Sequence, residues 1–236
     1  MKKKIFILFI TLFLVGCSVD YNLVITDTRA VRENFEVRVN NEMIPEEYSS
    51  VNEFLDYFSS VYRNIEGNES YNIKTRKGNF VSLFRVNRNY FSIRDYINSN
   101  SFKSMFNDAA IYDEGSYLTF RTSNNIYLEI MQLDFVLDED YYYEEFNINI
   151  KFYNNVVDHN ADNFDERNNI LTWVVTRENA TDHIYFKIDG NVRYGVMIKD
   201  IIQTNLIEII VITGVVGGAI IFVSYASIKA KKNNKI

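Results

Sequence analysis

Two short stretches, Tyr21-Asn22-Leu23-Val24-Ile25 and Phe35-Glu36-Val37-Arg38-Val39, decide how this chain reads. In both, side chains alternate between apolar and polar or are β-branched. A period of two puts successive side chains on opposite faces, so both stretches predict half-buried strands. Working outward, the period changes. Ser50-Val51-Asn52-Glu53 is a capping-box pattern, and Val51, Phe54, Leu55, Phe58, Val61, Tyr62 and Ile65 then recur at spacings of three and four. That predicts an amphipathic helix over about 46–65, opened near Pro45 and stopped by Gly67. Tyr71 to Thr75 and Phe80 to Val86 flank Lys77-Gly78-Asn79 as a hairpin, and Ser92-Ile93-Arg94-Asp95 opens a second helix over about 92–107.

From residue 110 onward the pattern is mostly β. Tyr117 to Arg121, Tyr127 to Phe135, Phe146 to Tyr153, Ile170 to Thr176 and His183 to Lys187 read as strands separated by acidic or Asn-rich turns. The predicted class is α+β: a mainly antiparallel sheet with two helices, then a short stalk and one C-terminal transmembrane helix.

The two ends carry topology signals. Lys2-Lys3-Lys4 precedes an apolar run of 11 residues, Ile5 to Val15. Spanning a ~30 Å hydrocarbon core takes roughly 20 residues, so this run reads as an export signal instead. It ends in Leu14-Val15-Gly16-Cys17, which resembles a bacterial lipobox, and Cys17 is the only cysteine in the chain. A thiol there accepts a diacylglycerol through a thioether and becomes the mature N-terminus. Residues 206–225, LIEIIVITGVVGGAIIFVSY, are nearly all apolar, and Lys229, Lys231, Lys232 and Lys235 follow. The positive-inside rule places that tail in the cytoplasm. The expected layout is a signal peptide over 1–16, an extracytoplasmic domain over 17–204, a membrane helix over 205–226 and a basic tail over 227–236. Both ends of the domain are then tied to one cell membrane, most simply in a single-membrane bacterium. Gly214 and Gly218 form a small-xxx-small pair through which two such helices would meet, although glycine is also common in membrane helices.

Charge excludes one partner class. Seven of the 25 Lys and Arg lie in the leader and tail, which leaves 18 basic against 31 acidic side chains elsewhere. Nucleic acid wants a basic face, so it is not an expected partner. With a single cysteine there is no disulfide, and stability must come from the core.

Catalytic constellations are scarce. Cys17 is consumed by the anchor, and only two histidines, His159 and His183, are present. No G-x-S-x-G, H-E-x-x-H or glycine-rich phosphate loop occurs. The chain is expected to be non-enzymatic, without cofactor or resident metal. The acidic run Asp138 to Glu145 reads as a solvated loop or as a site for a cationic partner. Asp158-His159-Asn160-Ala161-Asp162 opens like a calcium loop, but Asn163 and Asn169 occupy the positions where such a loop needs Gly and Glu. An Asx-type turn accounts for the same residues.

Asn160-Ala161-Asp162-Asn163-Phe164-Asp165, followed by Asn169-Ile170-Leu171-Thr172-Trp173-Val174, resembles the region of LppM-like bacterial lipoproteins where an alanine-aspartate turn precedes a strand bearing a buried tryptophan. Lipobox, α+β domain, late turn, terminal span and basic tail come in the same order. Where the family often has glycine, Asn168-Asn169 must supply a left-handed residue, which Asn tolerates. Asp162 and Asp165 would close the turn, and Trp173 would anchor the core. The resemblance implies an envelope-facing domain that binds a lipid or other hydrophobic ligand between sheet and helix. Phe54, Leu55, Phe58 and Tyr62 would line that site, or would simply fill the core. The alternative function is a surface protein-interaction or scaffold module.

Overall fold

The structure, a computed structural model, describes residues 18–42, 44, 48–64, 71–106, 108–123, 146–175, 183–206, 210 and 213. Strand β1 (Ser18–Ile25) and strand β2 (Val31–Asn40) pair antiparallel, with Tyr21 opposite Phe35 and Asn22 opposite Asn34. The odd-numbered residues of both strands, Val19, Tyr21, Leu23, Val31, Phe35 and Val37 among them, point into the core. The alternation read in the sequence is thus the in-and-out alternation of a sheet covered on one side.

Helix α1 (Val51–Asn64) follows. Its first turn is closed from both directions: Ser50 Oγ accepts from Glu53 N at 3.2 Å, and the Glu53 carboxylate accepts from Ser49 N at 3.0 Å. Those bonds hold the Glu53 carboxyl below the ordinary range. Strands β3 (Asn72–Arg76) and β4 (Val81–Tyr90) form the expected hairpin. Gly78 is required in its turn, because a Cβ there would collide with the Val81 carbonyl.

The second expected helix is two helices, α2 (Ile93–Ile97) and α3 (Asn100–Phe106). Ser92 caps the first, accepting from Asp95 N at 3.1 Å. Ser99 interrupts the run and caps the second, accepting from Phe102 N at 3.1 Å. A side chain that competes for the backbone in this way ends one helix and starts another.

The remaining strands are β5 (Ala109–Asp113), β6 (Tyr117–Thr122), β7 (Phe146–Phe152), β8 (Asn154–His159), β9 (Asn163–Asp165), β10 (Ile170–Val175) and β11 (Tyr185–Val192). They complete two sheets where one was expected. The larger has seven strands in the order β3-β4-β2-β1-β7-β10-β9, and the smaller has four in the order β5-β6-β11-β8. The larger is mixed, because β1 and β7 run parallel, with Tyr21 opposite Ile148. Periodicity reports a strand's faces but not its neighbour, so the parallel pair was not visible in the sequence. At Tyr153 the chain leaves the first sheet and enters the second. Asn169 staples this corner: its side-chain N–H groups donate to the Phe152 and Asn154 carbonyls at 2.8 and 2.7 Å. It is fully buried and takes φ 57°, the left-handed position expected at 168–169.

The inner face of the large sheet is covered by rings. Phe120 stacks on Phe186 with centroids 4.8 Å apart, Phe152 meets Phe186 edge-on at 4.8 Å, and Phe102 meets Phe120 at 6.2 Å. Val51, Phe54 and Leu55 of α1 bury themselves in the same core.

Residues 194–236 form a second compact unit. Its described part begins with helix α4 (Tyr194–Thr204), where a stalk was expected. Among the described residues no helix is long and apolar enough to cross a membrane. The expected span over 205–226 falls almost wholly outside the described residues, with Gly214 and Gly218. The leader, Cys17, the strand expected at 127–135 and the acidic run 138–145 also lie outside them.

Candidate functional site

The turn before β10 is built as a set of side-chain-to-backbone bonds. The Asn160 carboxamide oxygen accepts from Trp173 Nε1 at 2.9 Å and from Tyr185 N at 2.8 Å. Asp162 accepts from Val174 N at 2.8 Å, and Asp165 accepts from Asn168 N at 3.1 Å. The oxygens that would have served a calcium loop are therefore aimed at the chain's own N–H groups. Among the described residues no cluster of three or more His, Cys, Asp or Glu could hold a metal ion. Trp173 is buried, and its ring joins the core. His159 Nδ1 accepts from Ala161 N at 3.2 Å, and its ring lies 5.3 Å from that of Phe164. These bonds use His159 as a turn residue.

Among the described residues the most deeply buried carboxyl is that of Glu33 on β2, only 3% exposed. One carboxyl oxygen accepts from Tyr21 of β1 at 2.5 Å and from Ser101 of α3 at 2.6 Å; the other accepts from Tyr90 of β4 at 2.7 Å. Two more hydroxyls extend the network, Tyr96 of α2 at 2.8 Å from Tyr21 and Tyr71 at 3.0 Å from Tyr90. Arg88 lies over the Tyr71 ring at 4.4 Å. Burial pushes the Glu33 carboxyl up, while the three hydroxyls and the Arg88 charge pull it down. Burial also pushes up the hydroxyls of Tyr21 and Tyr90, with the Glu33 charge adding to it. The node ties two helices and three strands to one acid. All of its carboxyl and hydroxyl members are buried.

The opposite face of the large sheet is different. The strand registers align Asn72, Asn87, Asn34, Asn22, Asn149, Thr172 and Asn163 in one row that crosses all seven strands. Adjacent members are bonded in one direction. Thr172 Oγ1 donates to Asn149 Oδ1 at 2.8 Å, Asn149 Nδ2 to Asn22 at 3.2 Å, Asn22 Nδ2 to Asn34 at 3.4 Å and Asn34 Nδ2 to Asn87 at 2.7 Å. None of the row is buried; Asn72 and Asn163, at its ends, are exposed. On one side of the row Glu36 is paired with Arg85 and Arg38. On the other, Arg32 donates to the Tyr153 hydroxyl.

Of the residues expected to line a ligand site, Phe54 and Leu55 lie in the core, each 3% exposed. Phe58 and Tyr62 are on α1, but their side chains lie outside the described ones. Neither Glu33 nor the amide row was found from sequence. Asn22, Asn34, Asn87 and Asn149 each sit inside a strand, where Asn is disfavoured, and that was the available signal.

No protein-family model matches the chain. No curated protein matches its sequence. Among solved structures, the NMR structure of the folded domain of Mycobacterium tuberculosis LppM aligns with a TM-score of 0.47 at 7% identity, covering 76% of this chain and 92% of that domain.

Proposed function

We propose that the chain is a non-enzymatic extracytoplasmic binding domain, lipidated at Cys17 and held in a bacterial membrane by a helix over 205–226, that takes its target on the outer face of the large sheet. The observation that carries this reading is the polar row shared by all seven strands on the face opposite the aromatic core. On the inner face, among the described residues, aromatic rings pack together and the acid Glu33 is engaged by three hydroxyls.

The rival reading is an envelope lipid or other hydrophobic ligand between sheet and α1. A ligand there would have to displace Phe54 and Leu55 from the core they share with the sheet. Retention by envelope fragments separates the two. Full-length protein in detergent should sediment with delipidated cell-wall fragments, and N34R/N149R, which puts two bulky charges into the row, should abolish that. A discrete lipid adduct by native mass spectrometry, with N34R/N149R retained like wild type, would overturn the outer-face reading in favour of the lipid one.

A further inference from the structure

We infer that the amide row is a binding track for a linear, uncharged glycan carrying acetamido groups, laid across the strands. This rests on the outer-face reading above and names its ligand class.

The row is costly to build without a use. Asn is depleted from strands, and a solvated face is better served by Thr or other β-formers. Yet six of the seven strands place Asn at this one register position, and the seventh places Thr172. Local preference overridden in this manner, repeatedly and in one line, marks a functional surface.

The chemistry of the row specifies the ligand. A carboxamide has two N–H donors and two acceptor lone pairs. Within the row, Asn22, Asn34 and Asn149 each donate once and accept once. Each therefore keeps one donor and one acceptor for a ligand. These repeat at the strand spacing of about 4.8 Å, so seven strands offer a track of roughly 29 Å. Pyranose units in an extended β-linked chain advance by a similar step, and each presents hydroxyls and, where N-acetylated, an amide that both donates and accepts.

The row itself is neutral. Of the basic side chains on the same face, Arg85 and Arg38 pair with Glu36 and Arg32 donates to Tyr153, while Lys74, two residues along from Asn72, is exposed, so a polyanion is the competing ligand class that the test includes. The row also lacks an aromatic ring, so recognition is by hydrogen bonds alone. Single units bind weakly, and affinity grows with the number of rungs engaged.

The test uses full-length protein in detergent micelles and three probes: N-acetylglucosamine oligomers from dimer to hexamer, a glucose hexamer of the same linkage, and heparin as a polyanion. Titration calorimetry should show saturable binding of the N-acetylated hexamer, tighter than the dimer and than the glucose hexamer. The triple variant N22T/N34T/N149T keeps a polar, β-favouring surface, so it should unfold at the wild-type midpoint or above while losing at least tenfold in affinity. Binding of the hexamer unchanged in the triple variant would overturn the inference, as would preference for heparin. If the hexamer does not bind but wall retention still depends on the row, the glycan class is wrong and the outer-face reading stands. If wall retention is indifferent to the row, both fall.

Discussion

Replacing Glu33 by Gln probes the buried acid, because it exchanges a titratable group for a neutral one of nearly equal size. Glu33 is 3% exposed, and burial is the largest influence on its carboxyl, which is pushed above the ordinary glutamate value. A carboxyl whose folded pKa is raised favours the fold most when protonated. Its contribution is complete below the unfolded value near 4.5 and is lost as pH rises through the folded value. Within that window the loss approaches about 1.4 kcal/mol per pH unit, and above it the difference is flat. Gln cannot titrate. It also accepts fewer of the three hydroxyl bonds, so at the acid end the variant should be less stable by about 1–2 kcal/mol. Urea unfolding of the full chain in detergent, followed by the fluorescence of Trp173, the only tryptophan, measures both proteins at steps from about pH 4 to about pH 8. The stability of wild type minus that of E33Q should fall as pH rises and then level off. A difference that is constant across the range, or that grows with pH, would refute the desolvation argument; growth would mean that the hydroxyls and Arg88 outweigh burial.

Asn169→Ala should cost about 3–5 kcal/mol, because it strains a left-handed residue and leaves the Phe152 and Asn154 carbonyls without their donors. Asn169→Gly removes only the strain and should recover about 1 kcal/mol of that loss in the same unfolding assay. Asn160→Ala strips the acceptor from Trp173 Nε1 and Tyr185 N, and should cost about 1–3 kcal/mol with a shift in Trp173 emission. Arg29→Ala removes a partly exposed pair with Asp113, so stability should change by less than about 1 kcal/mol. The Asp113 carboxyl, now held down chiefly by the Arg29 hydrogen bond, should return toward its ordinary value by NMR titration. Cys17→Ala should abolish lipid labelling without moving the unfolding midpoint of the domain; persistent labelling would remove the lipobox reading.

What the sequence determined by itself is local. The alternation at 21–25 and 35–39, the hairpin around Lys77-Gly78-Asn79, the cap at Ser50 to Glu53 and the strand around Trp173 were all legible. Each depends on the side-chain period of one element or on bonds within a few residues. The split at Ser99 was missed because a serine reads as one more helical residue until its hydroxyl is seen to cap. Strands β5, β8 and β9 were missed because Ala109 to Asp113 and Asn154 to His159 do not alternate cleanly and β9 is three residues long. Glu33 lies in Arg32-Glu33-Asn34, a polar run from which no face can be read, and its three hydroxyl partners come from positions 21, 90 and 101. The amide row needs more still: residues from 22 to 172 meet only when seven strands adopt one register, including the parallel pairing of β1 with β7. A strand's period is a property of its own backbone, whereas register and neighbour are set by which distant strands can bury their apolar faces together. The tertiary structure alone therefore decided which polar residues were buried around Glu33 and which were lined up on the opposite face.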